Sequence, residues 1–105
     1  MQRRSAAHVF AALGDETRLH LVARLSGEGP LSITSLAEGF DVTRQAITKH
    51  LVVMEEAGLV SSKREGRERV WSLHEKRLED ARRHLELISM QWDEVLDRLK
   101  QHVEK

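Results

Sequence analysis

The sequence predicts a mainly α fold of order α-α-α-α-β-β-α that closes on one long helix. Three observations predict it. Apolar residues recur at spacings of three and four through most of the chain. The period becomes strand-like between Val60 and Leu73, on either side of a glycine. From Leu78 to Val103 the chain holds neither Gly nor Pro. With 105 residues there is room for one core, so residues 1–75 are expected to form a compact unit. Residues 76–105 are expected to form a helix packed on that same unit.

The first helix is expected to start after Ser5 as N-cap, to carry Val9, Phe10 and Leu13 on one face, and to stop at Gly14. Asp15 is placed to cap the second helix, and Glu16 suits the positive end of its dipole. Leu19, Leu21, Val22 and Leu25 form the expected apolar stripe, and Gly27-Glu28-Gly29-Pro30 breaks the helix. A short third helix follows Ser32, with Ile33, Leu36, Ala37 and Phe40 inward. Asp41-Val42-Thr43 makes a sharp turn, and Thr43 caps a fourth helix that buries Ile47, Leu51 and Met54. Ala57-Gly58-Leu59 reads as a helix stop, with Gly58 left-handed and Leu59 folding back on the last turn.

Val60 to Arg64 and Glu68 to Leu73 read as two extended segments around Glu65-Gly66-Arg67. Val70 and Leu73 are the expected inward positions, with Trp71 across from them or at the edge. Such a short, polar ribbon is marginal alone and must lean on the helices. In the last helix Leu78, Ala81, Leu85, Ile88, Trp92, Val95 and Leu99 alternate spacings of three and four, a seam of about four heptads. Leu96 and Val103 widen it. At 1.5 Å per residue this helix is roughly 40 Å long, more than the preceding domain can cover. A second chain is therefore expected along it, rather than a helix folded wholly onto its own domain.

Composition removes several functional classes. There is no Cys, so disulfides, thiolate metal sites and Cys nucleophiles are excluded together. No apolar run approaches the ~20 residues of a membrane span, and Met1-Gln2-Arg3-Arg4-Ser5 leads into no signal-peptide stretch. A soluble, cytoplasmic protein with no membrane partner is expected. Seventeen basic and seventeen acidic residues cancel, so binding to nucleic acid requires segregated charge. Residues 27–41 hold three acids and no base, whereas residues 42–73 hold six bases against four acids. The modest basic surplus thus falls on the fourth helix and the ribbon.

Helix, turn, helix and basic ribbon form the order of a winged helix-turn-helix. A helix fits the major groove of B-DNA and reads base edges from its N-terminal residues, here Arg44, Gln45, Thr48 and Lys49. These four share one outward patch opposite Ile47, Leu51 and Met54. Arg and Lys suit guanine, Gln suits adenine, and Thr suits a base or the thymine methyl. His50 lies at the edge of the patch within reach of a phosphate. Lys63, Arg64, Arg67 and Arg69 flank the hairpin turn, placed for phosphates or the minor groove.

The run Leu13-Gly14-Asp15-Glu16-Thr17-Arg18-Leu19 resembles the opening of the ArsR/SmtB family of bacterial transcriptional repressors. Thr43-Arg44-Gln45-Ala46-Ile47-Thr48-Lys49-His50-Leu51 is similar to that family's recognition helix. Glu55-Glu56-Ala57-Gly58-Leu59-Val60, Arg64-Glu65-Gly66-Arg67 and Val70-Trp71-Ser72-Leu73 resemble its helix end and wing. The match runs over about residues 8 to 75, and its specificity lies in the ordered set. The resemblance implies a homodimer built from the first and last helices, binding an inverted-repeat operator in double-stranded DNA. Repression would be relieved by an unknown small-molecule or protein effector. Arg44, Gln45, Thr48 and Lys49 occupy the family's DNA-reading positions, and Arg64 and Arg67 match its wing. Val9, Phe10, Leu85, Ile88, Trp92, Val95, Leu96 and Leu99 are the expected dimer interface.

The family's metal sites are not matched. Its cysteines are absent, and Arg82 stands where an Asp80-x-His pair would need histidine. Asp80 and His84 share a helix face but read as a solvated pair. No metal and no cofactor are expected, which leaves a metal-responsive repressor using His and Asp of the last helix as an alternative. A winged-helix module for protein–protein contact is the other. Gly27-Glu28-Gly29 lacks the Lys-Ser/Thr of a phosphate loop, and no Ser-His-acid set has supporting context, so an enzyme is not expected.

Overall fold

The computed structural model describes residues 6–103; Ser5, the expected first cap, lies outside them. In chain order the elements are α1 (Ala6–Leu13), α2 (Glu16–Glu28), β1 (Leu31–Ser32), α3 (Ile33–Ala37) and α4 (Arg44–Glu56). They are followed by β2 (Val60–Glu65), β3 (Glu68–Leu73) and α5 (Glu75–Val103).

Short-range chemistry sets the helix ends. The Asp15 carboxylate accepts the Arg18 N–H at 3.0 Å, capping α2. The Ser32 hydroxyl accepts the Ser35 N–H at 3.2 Å, and Thr43 accepts the Ala46 N–H at 3.1 Å. At the end of α4 Gly58 takes φ 80°. Its N–H donates to the Glu55 carbonyl, and that of Leu59 to the Met54 carbonyl, each at 2.9 Å. These two bonds satisfy carbonyls that the helix end would otherwise orphan, and Leu59 turns fully inward.

Leu21, Val22, Leu25, Leu36, Ile47, Leu51, Met54, Leu59 and Val60 form the centre of a single core. Leu19 departs from expectation, being 55% exposed. The face defined by Leu21, Val22 and Leu25 continues one turn back to Arg18, and Leu19 lies about 100° round the helix from that position. Phe40 falls beyond α3 and packs its ring 4.8 Å from that of His20.

The sheet has three strands rather than the expected two, in antiparallel order β1-β3-β2. β1 pairs Leu31 with Trp71 and Ser32 with Val70, which makes β3 central. Of the two expected inward positions Leu73 packs against the core and Val70 does not, its place being taken by Trp71. Side chains alternate along a strand, so Trp71 and Leu73 share a face while Val70 points to the other. Trp71 is 3% exposed and belongs to the core, whereas Val70 is only half-buried. The turn between β2 and β3 is Gly66-Arg67, with only Gly66 at positive φ, the pattern of a type II′ hairpin.

α5 begins at Glu75, three residues before the first seam leucine. Ala81 is buried and Leu78 packs against the core, but every residue from 82 to 103 is exposed. The radius of gyration is 17.9 Å, against about 13 Å for a compact chain of this size. The difference is the half of α5 that extends past the domain.

Candidate nucleic-acid interface

α4 has two chemically opposed faces. Ile47, Leu51 and Met54 are fully buried, while Arg44, Gln45, Thr48 and Lys49 are exposed. α4 is seated by α3 below it and by the cap at Thr43. α3 is in turn held by Arg24 of α2, whose Nη1 donates to the carbonyls of Ser35 at 2.9 Å, Leu36 at 3.1 Å and Glu38 at 3.2 Å. Its Nε donates to Glu28 at 3.0 Å. Arg24 therefore satisfies the carbonyls at the end of a five-residue helix too short to order itself. The sequence signalled only its Glu28 pairing at i,i+4, because the carbonyls it binds are backbone groups of another helix.

Within the exposed patch, Arg44 Nη2 donates to Thr34 Oγ at 2.9 Å, and Thr48 Oγ donates back to the Arg44 carbonyl at 2.9 Å. Among the described residues Lys49, Arg64 and Arg67 take part in no ion pair.

His50 leaves the patch where sequence placed it. Its ring is turned toward the start of α2, with Nδ1 3.2 Å from Arg18 Nη1 and 3.8 Å from the Asp15 carboxylate. The reason is angular: His50 lies on the Met54 side of α4, away from Gln45 and Lys49. The Arg18 backbone N–H holds the Asp15 carboxyl below its ordinary value of 3.8, helped by the nearby charges of His50 and Arg18.

The basic residues of the ribbon divide between its two faces. Arg64 and Arg69 are direct cross-strand partners on the Trp71 face, and Lys63 lies on the Val70 face. Arg69 Nη1 donates to Ser62 Oγ at 2.8 Å, and Lys63 is 3.5 Å from Glu65. Two guanidinium-bearing residues held opposite one another repel, and a phosphate between them removes that repulsion. Arg67 sits in the turn itself, at the tip.

Of the residues expected between two chains, Val9 is corrected. It is 1% exposed and packs into its own core, so no side-chain surface is left for a partner. Phe10 is half-buried and meets His84 of α5 edge-on, with centroids 6.4 Å apart. Leu85, Ile88, Trp92, Val95, Leu96 and Leu99 remain 36% to 59% exposed. Among the described residues no three His, Asp or Glu side chains are grouped to hold a metal, and His84 turns to Phe10. No helix among the described residues is long and apolar enough to cross a membrane.

A buried-backed helix with a polar tip, a six-residue connection from a supporting helix and a basic hairpin beside it define a winged helix-turn-helix protein of the DNA-binding class. A family profile described as a helix-turn-helix domain matches residues 13–62. The uncharacterized HTH-type transcriptional regulator YuzN of Bacillus subtilis is 46% identical over 68 residues, covering 59% of this chain and 74% of that one. The arsenical resistance operon repressor of Escherichia coli is 36% identical over 59 residues, covering 56% of this chain and 50% of the repressor. Two other curated relatives are spanned over 64% and 52% of their length. Among solved structures, an ArsR-like transcriptional regulator from Rhodococcus sp. RHA1 superposes with a TM-score of 0.76 at 43% identity, covering 91% of this chain and 90% of that one. The chain belongs to the ArsR/SmtB family of winged helix-turn-helix transcriptional regulators.

Proposed function

We propose that this chain is a repressor that binds an inverted-repeat operator as a homodimer and has no enzymatic activity. Arg44, Gln45, Thr48 and Lys49 of α4 read bases in the major groove, while Arg64, Arg67 and Arg69 of the wing, with Lys63, meet phosphates. Residues 1–75 supply the DNA-binding unit and α5 the dimer contact, with Phe10 of α1 beside it. The observation that carries this reading is the division of α4. Three core side chains fix its orientation from behind, so four polar ones face outward at the end a groove admits. An effector, small molecule or protein, would act by changing the angle between the two α4 helices. The reading places the protein in the cytoplasm with its DNA.

A mobility-shift titration with DNA from upstream of the protein's own gene tests it. Arg44→Ala and Lys49→Ala are expected to weaken the specific complex by roughly 1–3 kcal/mol each, and non-specific binding by clearly less. Arg67→Ala is expected to weaken binding to every sequence and to flatten the salt dependence. Equal loss on all sequences for Arg44→Ala would contradict the assignment. No shift at all, together with capture of a different protein through residues 78–103, would favour the protein–protein reading instead.

A further inference from the structure

Three elements meet in one chain of hydrogen bonds at the edge of the α4 patch. Arg44 Nη2 donates to Thr34 Oγ at 2.9 Å, and the same hydroxyl donates to Glu68 Oε1 at 3.2 Å. Thr34 belongs to α3, Arg44 opens α4 and Glu68 opens β3. A hydroxyl carries one hydrogen and accepts through lone pairs, so it serves both partners at once. Glu68 lies directly across the ribbon from Glu65. Like charges so placed repel, and Glu65 is offset by Lys63 at 3.5 Å. Glu68 is directed instead toward the guanidinium, with Thr34 between them.

We propose that Thr34 and Glu68 are positioning residues that hold the Arg44 guanidinium ready to read one base pair of each half-site, and so set specificity there. This rests on the reading of α4 as the DNA-reading helix. A free arginine carries much rotamer entropy, part of which is lost when it binds a base. A guanidinium already held by Thr34 loses less on contact. The tether uses one of its five N–H groups, and the Nη1 pair with the second Nη2 hydrogen remains for a two-pronged contact with guanine. Glu68 also ties the base of the wing to the recognition helix, so α4 and the ribbon approach DNA as one body.

The test begins by selecting preferred duplexes from a random-sequence library with the full chain. Affinities are then measured for the selected duplex and for each single-base-pair change. Arg44→Ala marks the position this residue reads. Thr34→Val and Glu68→Ala are expected to reduce discrimination at that same position by roughly three- to tenfold, leaving preferences elsewhere and the melting temperature unchanged. Thr34→Ser, which keeps the hydroxyl, retains the preference. Glu68→Gln, which keeps an acceptor but loses the charge, retains it while binding all duplexes more tightly. Should Thr34→Val fail to fold, Glu68→Ala against Glu68→Gln carries the test. Full discrimination in both disrupting variants overturns the tether alone, whereas an Arg44→Ala variant that weakens all duplexes equally overturns Arg44 as a base-reading residue and the tether with it. A wild-type chain that selects no sequence overturns the DNA reading and the tether with it.

Discussion

Arg18 and Arg24 do the structural work of two cations at positions where an apolar helix face meets backbone. Arg18, rather than the expected Leu19, continues the inward face of α2, donating through Nε to the Ala12 carbonyl at 2.6 Å and through its backbone to Asp15. Arg24 gathers the carbonyls of Ser35, Leu36 and Glu38. Arg24→Met, which keeps the stem and loses the donors, is expected to cost roughly 1–3 kcal/mol in denaturant unfolding, because partly buried carbonyls lose their partner. The Asp15 cap carries a pH signature. Its carboxyl is held below the ordinary 3.8 by the hydrogen bond from the Arg18 N–H. Its stabilisation is therefore complete above that value and disappears as pH falls through the lower folded value. Asp15→Ala should melt below the wild type at pH 7, and the gap should close on acidification below 3.8. A gap that persisted in acid would assign the effect to packing rather than to the cap.

At the scale of elements, what could be read from the sequence was what is local. The caps at Asp15, Ser32 and Thr43 and the stop at Gly58 are set by partners within a few residues, and each lies where the residue types indicated. The inward face of α4 was legible because Ile47, Leu51 and Met54 repeat with the helix. The strand β1 was not, since two residues carry no period and its partner Trp71 lies far along the chain. Without β1 the ribbon looks like an isolated hairpin with Trp71 at an edge. With it, β3 becomes central and Trp71 becomes core. The same limit applies to the candidate site. Arg44 was found from its place at the start of α4, but its tether to Thr34 and Glu68 depends on three elements meeting. His50 was misplaced because a residue type that suits phosphate sits on a face already engaged by Asp15 and Arg18.

The whole molecule is elongated, 68 Å by 30 Å by 23 Å, because α5 extends beyond the domain it starts on. Its seam is the expected interface, and Trp92 at 59% exposure is the largest side chain in it. In sedimentation, Trp92→Ala should weaken self-association by roughly 2 kcal/mol or more. Thermal unfolding of the single chain should barely change, because nothing in its own core touches that residue. A variant that stayed paired at nanomolar concentration would move the interface elsewhere. In the proposed dimer, twofold pairing along α5 would fix where the two α4 tips fall on DNA, and hydroxyl-radical footprinting of a bound genomic fragment measures this directly. The expected result is two symmetric protected patches about one helical turn, roughly 34 Å, apart. A single unsymmetrical patch, or protection without any repeat, would contradict it.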